Sequence, residues 1–164
     1  MPESKKKIEK VTVPQNEELD KAYKILTIDD DQWIIKLLAR QLSIWGFKPI
    51  GAADAFEGIA QAIKHKPLLI ILDLILPEVK GDALLKMFKK IDEISDIPVL
   101  ILSGNLNKEI VGKTFKDGVF GYISKPFTSD ILLEKIRESI KPEILSNLPN
   151  LQVLLKETNN NPVL

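Results

Sequence analysis

The sequence predicts a doubly wound α/β domain, in which helices cover both faces of a parallel five-stranded sheet. Short apolar runs alternate five times with segments whose apolar residues recur every three or four positions, a pattern typical of strands and amphipathic helices. Strands joined by crossover helices pair in parallel, and their connections are right-handed. We therefore expect strand order 2-1-3-4-5. A closed eight-stranded α/β barrel is excluded, because it needs about 250 residues and the chain has 164.

The first two strands are predicted over residues 23–28 and 47–52. Between them lies a helix that Asp31 can cap and Gly46 can end, with an apolar face of Ile35, Leu38, Leu42 and Trp45. Asp54 is expected to cap the second helix, whose inner face carries Ala55, Ile59, Ala62 and Ile63.

The third and fourth strands are continuous apolar runs over residues 68–72 and 97–102, as expected of strands buried on both faces. The fifth strand is predicted over residues 119–124. Helices follow these strands, with apolar faces of Leu84, Leu85, Phe88 and Ile91, then Ile110, Val111, Thr114 and Phe115, then Leu132, Ile136 and Ile140. The fourth helix is the weakest, since Gly112 in its interior costs about 1 kcal/mol relative to Ala. The whole pattern is flavodoxin-like.

Composition and charge limit the classes of function. Lys plus Arg equals Asp plus Glu, and there is no cysteine. We therefore expect no direct binding to nucleic acid, no disulfide and no thiolate metal site. No apolar stretch approaches the roughly 18 residues of a membrane span, so we expect a cytoplasmic protein with no membrane partner.

Three segments are predicted along the chain. Residues 1–22 are charged and aperiodic and are expected to be a flexible leader. Residues 23–141 hold the five strand–helix units. Residues 142–164 are expected to be a C-terminal tail or the stub of a linker, with a short helical turn around residues 151–155.

Four of the five predicted strands deliver a functional side chain at their carboxyl ends. Asp29 and Asp30 follow the first strand, Asp73 the third, Ser103 the fourth and Lys125 the fifth. In a parallel sheet these ends share one edge, and strands one and three are neighbours at the switch point where ligands bind. Carboxylates so close together raise one another's pKa unless a cation lies among them. With oxygen ligands alone, we expect Mg²⁺.

A carboxylate beside Mg²⁺, a hydroxyl and an ammonium can accept a phosphoryl group. Asp73 would be the nucleophile, and it is already ionised at neutral pH. Mg²⁺ would neutralise the phosphoryl oxygens, which Ser103 and Lys125 would bind after transfer.

The motifs at these positions resemble the receiver domain of two-component response regulators over residues 24–141. They read Ile-Asp-Asp-Asp after the first strand, Leu-Asp-Leu-Ile-Leu-Pro-Glu-Val-Lys-Gly around Asp73, Leu-Ile-Leu-Ser-Gly, and Gly-Tyr-Ile-Ser-Lys-Pro-Phe. The resemblance implies that Asp73 accepts a phosphoryl group from the phosphohistidine of a sensor histidine kinase or histidine phosphotransfer protein. It also implies a Mg²⁺ site formed by Asp30, Asp73 and the backbone carbonyl of Ile75, with Asp29 acting through water.

The same resemblance implies a switch. Lys125-Pro126 would be a cis peptide, and Ser103 would be coupled to the rotamer of Tyr122, altering the face of helix four, strand five and helix five. That face would act on a downstream target protein or a fused output domain. Residues 118–122 read Gly-Val-Phe-Gly-Tyr and lack the two acids common in winged-helix members, so a charged dimer interface is not expected here.

Other functions fit the sequence less well. A degenerate receiver would act only as a protein–protein interaction module, although the site residues are intact. A haloacid-dehalogenase-like phosphatase also uses an Asp after an apolar strand. It needs a second Asp two residues later as general acid, and this chain has Ile75 at that position. A nucleotide-binding domain is disfavoured, because no Gly-rich loop follows the first strand. We therefore expect a signalling switch and not a turnover enzyme.

Overall fold

The computed structural model describes residues 23–106, 108–148 and 150–151. Five strands form one parallel sheet: β1 (Lys24–Ile28), β2 (Lys48–Ala52), β3 (Leu69–Leu72), β4 (Val99–Ser103) and β5 (Gly121–Ser124). Their order is β2-β1-β3-β4-β5, so the predicted doubly wound architecture is confirmed. The predicted leader and nearly all of the helical turn expected around residues 151–155 lie outside the described residues.

Helices follow each strand in turn: α1 (Gln32–Ile44), α2 (Ala55–His65), α3 (Gly81–Lys90), α4 (Lys108–Phe115) and α5 (Ser129–Ser139), with α6 (Pro142–Ser146) after them. The caps predicted at Asp31 and Asp54 form: Asp31 accepts a hydrogen bond from Trp33 N and Asp54 from Glu57 N. Thr128 caps α5 in the same way, accepting from Ile131 N. These side chains satisfy backbone donors that lack a partner in the first turn. No helix in the described part of the chain is long and apolar enough to span a bilayer.

The sheet separates two apolar cores. One core packs α1 and α5 against alternate residues of the strands, and the other packs α2 and α3 against the remaining ones. Every residue of β1, β3 and β4 is buried, which explains the continuous apolar runs of β3 and β4. The edge strand β2 is only partly buried and accommodates Pro49, as edge strands do.

Some element boundaries differ from those predicted. β4 begins at Val99 and β5 at Gly121, about two residues later than the apolar runs. Ile97 and Phe120 lie in the loops before these strands. The backbone N–H of Ile97 donates to the carbonyl of Ile94 in the preceding turn, and that of Phe120 donates to the carbonyl of Val99 at the start of β4. Ile63 was expected on the inner face of α2 but is exposed, because at its position the helix surface has turned away from the sheet.

The end of the described chain packs against the domain. Residues from 142 onward were expected to be a tail, but α6 follows α5 and Leu148 and Leu151 are 3% and 0% exposed. Both leucines join the core between α1 and α5, together with Trp45 and Phe47. Packing against the domain therefore extends beyond residue 141 as far as Leu151 in the described residues, because these leucines are apolar and lie in that core.

Candidate functional site

The carboxyl edge of the sheet brings together four predicted side chains. Asp29, Asp73 and Ser103 are 2%, 6% and 0% exposed. The register pairs Ile28 with Leu72 and Ser103 with Ser124. The strands therefore end side by side, and the residues that follow them lie next to one another at the carboxyl edge of the sheet. Long-range strand pairing thus places chemistry from four distant parts of the sequence at one point.

Lys125 joins the two buried carboxylates. Its Nζ lies 2.6 Å from Asp29 Oδ2 and 2.6 Å from Asp73 Oδ2, while its backbone N–H bonds to the Ser103 carbonyl. Burial by itself lowers the pKa of Lys125, but the hydrogen bonds to the two carboxylates outweigh it and the pKa is raised. The side chain is therefore a fixed cation, and the Lys125–Pro126 bond that follows is cis.

Asp73 is held at both oxygens. Oδ1 accepts hydrogen bonds from Ser103 Oγ at 3.0 Å and from the backbone N–H of Ile75 at 2.9 Å. Oδ2 accepts from Lys125. Hydrogen bonds that restrain both oxygens orient a carboxylate for reaction.

Asp29 is a buried carboxylate that shares the ammonium of Lys125 with Asp73. Its Oδ1 accepts from Asp31 N at 2.9 Å and its Oδ2 from Lys125. Burial nevertheless raises the pKa of Asp29 above its ordinary value, against the lowering effect of those bonds, and the charge of Asp73 raises it further. One ammonium shared by two buried carboxylates leaves room for a second cation.

A divalent ion is compatible with this donor set. The predicted ligands offer only oxygen, as Mg²⁺ requires: Asp29 and Asp73 are buried, and Asp30 is exposed at the mouth of the site. Within the described ranges, no three acidic or histidine side chains already form a metal-binding cluster. An incoming ion would therefore share the carboxylates with Lys125.

Tyr122 lies on β5 and contacts α4. Its hydroxyl is 3.0 Å from Thr114 Oγ1 and donates to the carbonyl of Val111 at 3.1 Å. The sequence identified Tyr122 but not these partners. The only signal for Thr114 was its place on the inner face of a weak helix, where its side chain is in fact buried.

A family comparison decides what kind of domain carries this site. Residues 25–137 match the response regulator receiver domain model. The chain belongs to this family. Receiver domains act as signalling switches in two-component systems, and the described fold agrees in strand order and helix placement with solved members of the family.

Relatives of this receiver domain occur both alone and within longer proteins. The DNA-binding dual master transcriptional regulator RpaA of Synechocystis sp. is 35% identical over 72% of this chain and 49% of its own length. The polar-differentiation response regulator DivK of Brucella anthropi is 29% identical over 69% of this chain and 92% of its length. The chain thus spans about half of RpaA and nearly all of DivK.

Solved structures show the same architecture. The chemotaxis protein CheY4 of Vibrio cholerae matches with a TM-score of 0.69 and 26% identity, over 72% of this chain and 98% of its own. A CheY-like receiver domain from Methanospirillum hungatei matches with a TM-score of 0.67 and 28% identity, over 82% and 98%.

Proposed function

We propose that this receiver domain accepts a phosphoryl group on Asp73 from the phosphohistidine of a sensor histidine kinase or a histidine phosphotransfer protein. The observation that carries the proposal is the restraint of both Asp73 oxygens by Ser103 and Lys125 in a buried network. An Asp that merely capped a turn would not need a buried hydroxyl and a shared ammonium.

In the transfer, a carboxylate oxygen of Asp73 attacks phosphorus while the bond from phosphorus to the imidazole nitrogen breaks. The imidazole leaves and an aspartyl phosphate forms. Lys125 and Ser103, which hold the carboxylate before the reaction, then donate to the phosphoryl oxygens. No general base takes part, since the nucleophile is a carboxylate whose oxygens accept hydrogen bonds from Ser103 and Lys125.

Asp29, Asp30, Asp73 and the backbone carbonyl of Ile75 are the residues that would hold Mg²⁺. When bound, the ion supplies positive charge that stabilises the phosphoryl oxygens. The sharing of one ammonium by the buried carboxylates of Asp29 and Asp73 supports this assignment.

The signal would leave the site through Ser103 and Tyr122. A phosphoryl group adds up to two negative charges and draws the Ser103 hydroxyl away from its present bond to Asp73. Rotation of Tyr122 into the vacated space would break its bonds to Thr114 and Val111 and so change the surface of α4, β5 and α5. That surface would bind a target protein or a fused output domain in the cytoplasm, and the chain would act as a switch and not as a turnover enzyme.

Incubation with acetyl phosphate and Mg²⁺, followed by intact mass measurement, tests the acceptor. We expect a phosphoryl adduct on the wild type, none on Asp73→Asn, and loss of the wild-type adduct when the metal is chelated. Absence of an adduct on both proteins would favour the degenerate interaction module.

Metal binding has a separate optical readout. Trp33 is 78% exposed and begins the helix beside the acidic residues, whereas Trp45 is 2% exposed in the core. We expect Mg²⁺ to change tryptophan emission in the wild type but not in Trp33→Phe. Asp29→Asn with Asp30→Asn should abolish the change.

A further inference from the structure

A groove rich in lysine lies between α3 and α4, outside the site described above. One cavity of about 450 Å³ is lined by Lys86, Lys89, Lys90 and Lys116, together with Asp117 and Gly118. A second cavity of about 550 Å³ shares Lys86 and Lys116 and continues past Lys108 and Gly112. We call this continuous depression the lysine groove.

Lys89 is a pre-positioned cation in the lysine groove. Its Nζ donates to the carbonyls of Ser95 at 2.7 Å and Ile97 at 3.3 Å, which leaves one of its three N–H donors for a ligand. Burial lowers the pKa of Lys89, with Asp96 acting in the opposite sense. Its positive charge is therefore incompletely compensated, and an anion in the groove would stabilise it.

Three other lysines of the groove have no carboxylate partner among the residues that the structure describes. Across the described ranges, no ion pair involves Lys86, Lys90 or Lys116, whereas Lys135 pairs with Glu138 on α5. Lysines near helix ends offset the helix dipole, which accounts for some of their positions. It does not account for the partial burial of Lys89 or for the convergence of lysines from two helices in a chain of zero net charge.

Gly112 is the second feature of the groove. A Cβ at this position of α4 would meet nothing within 4 Å, so packing within the domain does not require glycine here. Glycine lowers helix stability relative to alanine, and it leaves the helix backbone open to close approach by another chain. The position lies on the wall of the lysine groove.

We propose that the lysine groove binds a short acidic polypeptide segment of a partner protein. Its carboxylates pair with Lys86, Lys89 and Lys116, and its backbone passes over Gly112. From Lys108 to Lys116, the groove follows α4 for roughly 12 Å, at about 1.5 Å per helical residue. This length accommodates about four extended peptide residues at about 3.3 Å each.

Charge favours a polypeptide over a nucleic acid. Asp82, Glu109 and Asp117 also line the groove, and they would repel an unbroken row of phosphates. A peptide can place its carboxylates at the lysines and leave neutral residues beside these acids. Binding here needs no phosphoryl group on Asp73, so its failure would leave the proposed phosphoryl transfer standing.

Fluorescence anisotropy of a labelled peptide, Gly-Ser-Glu-Glu-Glu-Glu-Ser-Gly, tests the proposal at low salt with the whole chain. We expect Lys86→Gln with Lys116→Gln to weaken binding roughly five- to tenfold. Lys64→Gln with Lys141→Gln removes the same charge from exposed positions outside the groove and should leave affinity within about twofold. Equal losses in both double variants, or no measurable binding to the wild type, would overturn the proposal.

A steric variant separates a groove from general attraction. Gly112→Leu should fold, because space is open at this position. It should lower the affinity for the acidic peptide and still form the acetyl phosphate adduct. A glutamine version of the peptide should not bind. Tighter binding of a single-stranded thymidine oligonucleotide than of the acidic peptide would overturn the assignment to a polypeptide.

Discussion

At the residue scale, electrostatic balance at the sheet edge depends on Lys125. Its ammonium is the only cation that bonds the two buried carboxylates in the described structure. The motif around Lys125 indicated a role in binding a phosphoryl group. The geometry adds a role before phosphorylation, since without the lysine two negative charges would face each other in a poorly solvated place.

We therefore expect Lys125→Ala to lower the free energy of unfolding by about 2 to 3 kcal/mol in metal-free buffer, because buried charges lose their partner. Urea denaturation measures the change. Lys135→Ala, which removes an exposed pair with Glu138, should cost under about 0.5 kcal/mol. Adding Asp29→Asn to Lys125→Ala should recover part of the loss, and a further loss instead would contradict the electrostatic account.

Tyr122 is the second residue whose role depends on measured contacts. We expect Tyr122→Phe to cost about 0.5 to 1.5 kcal/mol, because its hydroxyl bonds to Thr114 and Val111 are lost. Hydrogen exchange should quicken across α4 but not across α2. Tyr23→Phe, at the other tyrosine, is the matched control, and an α4 unchanged in Tyr122→Phe would rule out this coupling.

At the element scale, α2 and α4 each have a glycine in the helix interior, for opposite reasons. A Cβ at Gly58 would lie 2.6 Å from Ile28 Cδ1, so α2 needs glycine in order to pack closely on β1. A Cβ at Gly112 would meet nothing. Local sequence cannot distinguish the two, because the difference lies in what each helix faces.

The pair makes an internally controlled prediction. Gly112→Ala should stabilise the domain by about 0.5 to 1 kcal/mol through helix propensity, whereas Gly58→Ala should destabilise it by about 1 to 3 kcal/mol through overpacking. Thermal unfolding of both variants beside the wild type measures the signs. Stabilisation by both variants would show that helix propensity, and not packing, governs these positions, and destabilisation by both would show that Gly112 is also needed for packing.

At the scale of the whole molecule, residues 142–151 close the core that α1 and α5 share. They lie beyond the family match, which ends at residue 137. Leu148 also contacts the turn after α1, where a Cβ on Gly46 would lie 3.3 Å from its Cδ2. Leu148 and Leu151 of this segment therefore pack as part of the domain core.

Leu148→Ala and Leu151→Ala should each cost about 2 to 4 kcal/mol, as expected for truncating a buried leucine. Urea unfolding followed by Trp45 emission in a Trp33→Phe background reports this core directly. Leu37→Ala, at an exposed leucine on α1, should change stability by less than about 0.5 kcal/mol. If Leu148→Ala and Leu151→Ala also changed the free energy of unfolding by less than about 0.5 kcal/mol, the segment would not contribute to the core.

The sequence by itself determined the alternation of strands and helices, the caps, and which side chains reach the carboxyl edge. Apolar periodicity and capping are local properties, and parallel pairing follows from the crossovers. Asp29, Asp73, Ser103 and Lys125 could be assigned to one edge because each follows or ends a predicted strand.

Only the tertiary structure decided which atoms meet. It placed Lys125 between Asp29 and Asp73, joined Tyr122 to α4, buried Leu148 and Leu151, and left Gly112 open beside the lysines. An apolar pattern specifies that a side chain is buried but not what it touches. Contacts between segments far apart in the chain depend on the register of the sheet and the packing of its helices, which no local pattern encodes.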